Sequence, residues 1–276
     1  MTPRAAPPGS PASLLRLEGV SKEFQARGAR VLALDSVTLA IEQGEFVTVV
    51  GPSGCGKSTL LNLVVGLIVP SAGRILFGGR PASGINPEIG YVTQRDNLLP
   101  WRTLSANVEV ALEIRGVETK ERRRQAAALI QQVGLGGFED HYPHELSGGM
   151  RQRANIIRTL IYEPQLILMD EPFGPLDAQT RVILQDQLLR LWTATRKTIV
   201  FITHDLVEAI ALADRVIVMT SRPGRVKCVT RIPIPRPRDV YQIHESPGFH
   251  ATHETLWKEL RPEVNLAEAR KGGNSP

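Results

Sequence analysis

The 276 residues are 42% apolar and 22% charged, with a net charge of +5. That is the balance of an ordinary soluble globular chain, long enough to bury a sizeable core. The longest apolar run, LLNLVVGLIV at residues 60–69, contains Asn62 and is about half the roughly twenty residues of a spanning helix, so any link to a membrane goes through a partner.

The first thirteen residues, MTPRAAPPGSPAS, are Pro-rich, lack the apolar stretch of a secretory signal, and are expected to form a disordered arm. Strands are predicted over 14–20, 37–41 and 45–50, and the short EQGE at 42–45 suits a tight hairpin turn between the last two. A helix is predicted over 57–66, then short strands at RILF and IGYV. A mostly helical stretch runs over 103–162 and includes KERRRQAAALIQQV, closed by Gly134. Continuous apolar runs then return in QLILMD, TIVFIT and RVIVMT, with helices between them at 178–192 and 206–213. This is the alternation of parallel βα units, so the fold class is α/β with a helical segment inserted into a parallel core. Beyond about Arg261 the tail is expected to be disordered. No internal repeat is visible.

Charge clusters such as KERRR (120–124), RPGRVK (222–227) and RPR (236–238) read as solvated faces; no aromatic residues interleave with them, and nucleic acid is not an expected partner. Cys55 and Cys228 form no metal-spaced pair and fit a reduced, cytoplasmic setting.

GPSGCGKST, residues 51–59, matches the phosphate loop, directly after an apolar strand and before a helical run. The loop runs from Gly51 through Pro52, Ser53, Gly54, Cys55 and Gly56 to Lys57, Ser58 and Thr59, with its backbone N–H groups facing phosphates. Lys57 is placed to reach the β- and γ-phosphates of ATP, and Ser58 to ligate magnesium. The loop setting is also expected to favour the Cys55 thiolate. LILMDE ends a buried strand with two carboxylates: Asp170 for the magnesium shell and Glu171 to orient or deprotonate the attacking water. A strand ending in acids is by itself an ordinary loop start; paired with a phosphate loop it reads as a catalytic edge. His204 and Gln94 leave neighbouring strand ends on the same edge, His204 near the γ-phosphate and Gln94 near magnesium or water. Singly, each would be structural.

A second glycine-rich stretch, LSGGM at residues 146–150, is also shaped for close approach to an anion. The phosphate loop, Gln94, LSGGM, LILMDEP, Leu176–Asp177 and His204, in this order and spacing, resemble the ABC transporter ATPases over residues 14–238. The resemblance implies a P-loop core with an N-terminal antiparallel β subdomain and a helical subdomain over about 95–163. It implies one ATPase domain over 14–245, followed by a C-terminal helix and tail over 246–276. It assigns Phe24 to the aromatic that stacks on adenine, where Tyr is commoner. It implies a head-to-tail dimer in which LSGGM, with Ser147, Gly148 and Gly149, caps the partner copy's ATP, and it adds Asp177 to the nucleotide-binding residues. Met150 stands where Gln is more frequent, and Pro175 where the loop often has Ala.

NLLPWRTLSANVEVALEIRG, EPFGPLDAQTR and ADRVIVMTSRPGRV look like the nitrate/sulfonate/taurine importer group. That implies transmembrane permease subunits as partners, a solute-binding protein beyond them, and a peripheral place on the cytoplasmic face of the membrane. Trp101 falls where such ATPases receive the membrane subunit's coupling helix, or else in the core. The rival is a non-transport ABC ATPase acting on DNA or ribosomes. It would call for long coiled coils, zinc modules or a second cassette, and the sequence shows none of these.

Overall fold

The computed structural model describes residues 13–26 and 29–272; residues 1–12 of the predicted arm and the last four residues lie outside it. Two sheets and a helical layer make up the fold. The first sheet is antiparallel, in the order β2 (Ala29–Glu42), β1 (Ser13–Ala26), β4 (Ala72–Phe77), β5 (Arg80–Pro81). The second holds β3 (Phe46–Val50), β6 (Ile89–Val92), β7 (Leu166–Asp170), β8 (Thr198–Ile202), β9 (Arg215–Met219) and β10 (Val226–Arg231) in the order β10-β9-β3-β8-β7-β6. All its pairs are parallel except β10 with β9. β3, β7 and β8 are buried along their whole length, which is why they read as unbroken apolar runs.

Around the sheets lie α1 (Lys57–Val65), α2 (Leu104–Ile114), α3 (Thr119–Gln132), α4 (Gly148–Leu160), α5 (Ala178–Thr195), α6 (Leu206–Leu212) and α7 (Phe249–Gly272). α1 and the antiparallel sheet share a core with one face of the parallel sheet, through Leu17, Ile41, Leu61 and Val49. The opposite face packs under α5, α6 and α7, through Trp192, Phe201, Ile210 and Leu256. α2, α3 and α4 close a third core around Leu104, Ile130 and Ile157. Along α4, Ile156 enters the core of the sheet while Ile157 enters the helical one, so this helix ties the two together.

Two expectations need correction. EQGE is not a hairpin turn. β3 is flanked by β8 and β9, Phe46 opposite Ile199 and Val47 opposite Arg215. Both of its backbone edges are therefore used, and the turn carries the chain from one sheet to the other. Nor is the expected disorder beyond Arg261 found at residues 262–272: α7 runs through Pro262 to Gly272. Its far half is held by polar contacts, with Glu263 accepting from Ser221 N at 2.8 Å and lying 3.0 Å from Lys227 Nζ.

Candidate nucleotide site

In a parallel sheet the carboxyl ends of adjacent strands share one edge, and β6, β7, β8 and β3 deliver Gln94, Asp170, His204 and Gly51 to it. The phosphate loop follows β3. Gly56, at the N-cap of α1, has φ 104°, and a Cβ there would meet Leu34 Cδ2 at 2.7 Å, so only glycine fits. No side chain caps α1 and its first turn holds no acid, which leaves its N–H groups directed at the loop's concavity. Lys57 is buried and donates to Gly51 O at 2.8 Å and Pro52 O at 3.1 Å.

Asp170 is buried. Burial pushes its carboxyl above the usual range, opposed by the Ser58 hydroxyl beside it. Tyr91 Oη, which the sequence reading missed, lies 3.5 Å from Asp170 Oδ2. Glu171 has φ 44°, its N–H donates to Ile202 O at 3.0 Å, and its Oε1 is 4.0 Å from Lys57 Nζ. His204 Nδ1 comes within 3.3 Å of Glu171 Oε2 from the next strand.

One cleft of about 460 Å³ is lined by Phe24, Ser53, Gly54, Gly56, Lys57, Ser58, Thr59, Gln94, Asp170 and Glu171. Arg222 lines it as well, although its segment read as a solvated charge cluster. Phe24 is half-exposed, and the Lys22 ammonium sits over its ring, 5.1 Å from the centroid.

Ser147, Gly148, Gly149 and Asp177 are not among the residues lining this cleft. Gly148 borders a second one of about 670 Å³, with Arg151, Pro175 and Leu176, and Gln94 borders both. Ser147 caps α4, accepting from Met150 N at 3.3 Å, and Asp177 caps α5, accepting from Thr180 N at 2.9 Å. Gly149 packs on α5 so tightly that a Cβ would meet Thr180 Cγ2 at 2.7 Å, whereas Gly148 has ordinary clearance. Met150 packs against the helical core.

Cys55 departs from expectation. It is 1% exposed, and burial raises its thiol pKa against the opposing pull of Lys57, so the thiolate is not favoured. Trp101 is 71% exposed, which excludes the core-packing reading.

A family model described as ABC transporter matches residues 34–174. The chain is a member of the ABC transporter ATP-binding family. It is 49% identical over 225 residues to an uncharacterized ABC transporter ATP-binding protein of Methanocaldococcus jannaschii, covering 82% of this chain and 84% of the relative. To the taurine import ATP-binding protein TauB of Yersinia pestis it is 46% identical over 213 residues, 77% of this chain and 82% of the relative. Its fold matches an ATP-binding cassette solved as a dimer in a post-hydrolysis state with ADP and Pi. The TM-score is 0.71 at 32% identity, over 79% of this chain and 98% of that one. This ABC ATPase therefore hydrolyses ATP. Among its described residues no helix is long and apolar enough to cross a membrane.

Proposed function

We propose that this ABC ATPase binds ATP in the cleft between Phe24 and the phosphate loop and powers an importer for a small solute of the taurine, sulfonate or nitrate kind. The observation that carries the ATP site is the convergence of Phe24, Lys57, Ser58, Gln94, Asp170 and Glu171 on one cleft. The Ser58 hydroxyl, Asp170 carboxylate and Gln94 amide are oxygen donors, the hard set that suits magnesium alongside phosphate oxygens. Bound there, the ion would neutralise charge on the β- and γ-phosphates. Lys57 exchanges its loop carbonyls for phosphate oxygens. Glu171 accepts a proton from the attacking water. His204 orients Glu171: an ionised carboxylate accepts from Nδ1–H, and donation from Nε2 to the γ-phosphate at the same time requires the imidazolium.

Ser147, Gly148, Gly149 and Asp177, which do not line the cleft, act on the ATP of a second copy packed head to tail; the likeness to a solved cassette dimer supports this. The exposed Trp101 docks on transmembrane permease subunits at the cytoplasmic face of the membrane, and a solute-binding protein delivers the cargo. The relative named for taurine import supports this branch. The test is to reconstitute the chain with its permease subunits and binding protein in vesicles and measure ATP hydrolysis with each solute. Taurine, alkanesulfonates or nitrate should stimulate it. A complex that hydrolyses ATP but responds to none of them rules out this solute class.

A further inference from the structure

The segment joining β9 to β10 is pinned on three sides. Gly224 donates its N–H to Ala33 O at 2.8 Å and accepts from Asp35 N at 3.0 Å, so it docks on β2. Its Cα lies so close to the phosphate loop that a Cβ would sit 2.0 Å from Cys55 O. Arg225 Nε donates to Asp35 Oδ2 at 2.9 Å. From the other side α7 reaches in, with Glu263 accepting from Ser221 N and Arg270 donating to Arg222 O.

Arg222 thus has a held carbonyl and an exposed side chain lining the ATP cleft. The neighbouring cations are neutralised, Arg225 by Asp35 and Lys227 by Glu263. The Arg222 guanidinium has no carboxylate partner among the described residues. A guanidinium so placed is free to stack on a purine face and to donate to ribose oxygens. Its anchor on β2 at residues 33–35 lies just beyond Val31, which pairs with Phe24, so Arg222 belongs to the wall that carries the aromatic ring. With Lys22 over one face of that ring, Phe24 offers a base only the other.

We propose that Arg222 is a nucleoside-binding residue whose guanidinium contacts the adenine and ribose of bound ATP, with Arg270 of α7 as the positioning residue that holds its carbonyl. This rests on the reading of the cleft as the ATP site.

Isothermal titration of the full chain with MgATP and with magnesium tripolyphosphate tests it. Arg222→Ala should weaken MgATP roughly five- to tenfold, the scale of one cation–π contact, and leave tripolyphosphate unchanged. Unchanged tripolyphosphate binding also shows that the variant has folded. Equal weakening of both ligands would put the contact at the phosphates and overturn the assignment, and so would no weakening of either. Lys57→Ala separates the two readings: if it leaves both affinities intact, the ATP site itself is misplaced. Arg270→Ala should weaken MgATP less than Arg222→Ala does, add nothing in the Arg222→Ala background, and be rescued by Arg270→Lys. Additive losses would remove the positioning role.

Discussion

His204 and Glu171 leave the ends of two adjacent strands and meet at 3.3 Å, Nδ1 to Oε2. The same carboxylate lies 4.0 Å from Lys57 Nζ, so it faces the phosphate loop and the ring of the next strand together. Glu171 sits in the left-handed region at φ 44°, a conformation that costs a non-glycine residue about 1 kcal/mol or more. The hydrogen bond from its N–H to Ile202 O holds it there.

If Glu171 takes the proton of the attacking water, Glu171→Gln keeps ATP binding and lowers kcat by at least about a hundredfold. His204→Ala lowers kcat with binding retained, and Lys57→Ala weakens binding itself. Phosphate release and nucleotide titration separate the three. A Glu171→Gln variant that turns over at the wild-type rate removes the assignment.

Ser147 belongs to the LSGGM loop, away from its own chain's cleft, so Ser147→Arg should bind ATP with near-normal affinity. Trapped ATP should hold two copies of Glu171→Gln together on size-exclusion chromatography at micromolar protein with magnesium. The double variant Ser147→Arg, Glu171→Gln should elute as a monomer with ATP bound. A stable ATP-dependent dimer of that variant would remove the trans role of Ser147.

Trp101 is mostly in solvent, so Trp101→Glu should shift the unfolding free energy by no more than about 0.5 kcal/mol, the scale of surface changes. ATP hydrolysis by the isolated chain should survive, while transport by the reconstituted complex falls. Matching losses in both assays would show that the indole does not serve the permease.

Glu208, on α6 four residues beyond His204, is buried, and burial pushes its carboxyl up from 4.5 to about 7 against hydrogen bonds from Thr203 and Gln185. A raised carboxyl pKa means that the folded state binds the proton more tightly. The stabilisation is full below the unfolded pKa of 4.5 and is lost as pH rises through about 7. Glu208→Gln, which mimics the protonated acid, should flatten this dependence and gain on the wild type between pH 5 and 8 by roughly 1–3 kcal/mol. Urea unfolding across that range measures the gap. Parallel pH profiles would mean that the fold does not resist ionisation there.

The parallel core was legible because β3, β7 and β8 are buried on both faces and leave unbroken apolar runs. The phosphate loop was legible because its spacing and flanking elements are local. What escaped depends on contacts between distant segments. EQGE looks like a hairpin turn until β8 and β9 occupy both edges of β3. The cations of RPGRVK look solvated until Ala33, Asp35 and α7 pin their backbone around the cleft. The Cys55 thiol looks activated by Lys57 until its burial is known. The stretch beyond Arg261 looks polar and free, yet Glu263 and Arg270 bind backbone between β9 and β10.

The contact between Gly149 and Thr180 separates two tasks within one glycine pair. Gly148 has room around it, whereas Gly149 sets the spacing between the first turns of α4 and α5. α4 has 13 residues, about 20 Å of rigid rod, and it carries the helical layer on its other side. A methyl group wedged at its tip would therefore act as a shim under one end of a lever. Any part of the clash that rotation of the Thr180 side chain does not absorb would tilt the rod and the helices packed along it. Gly149 is in this sense a thin spacer between the ends of two helices.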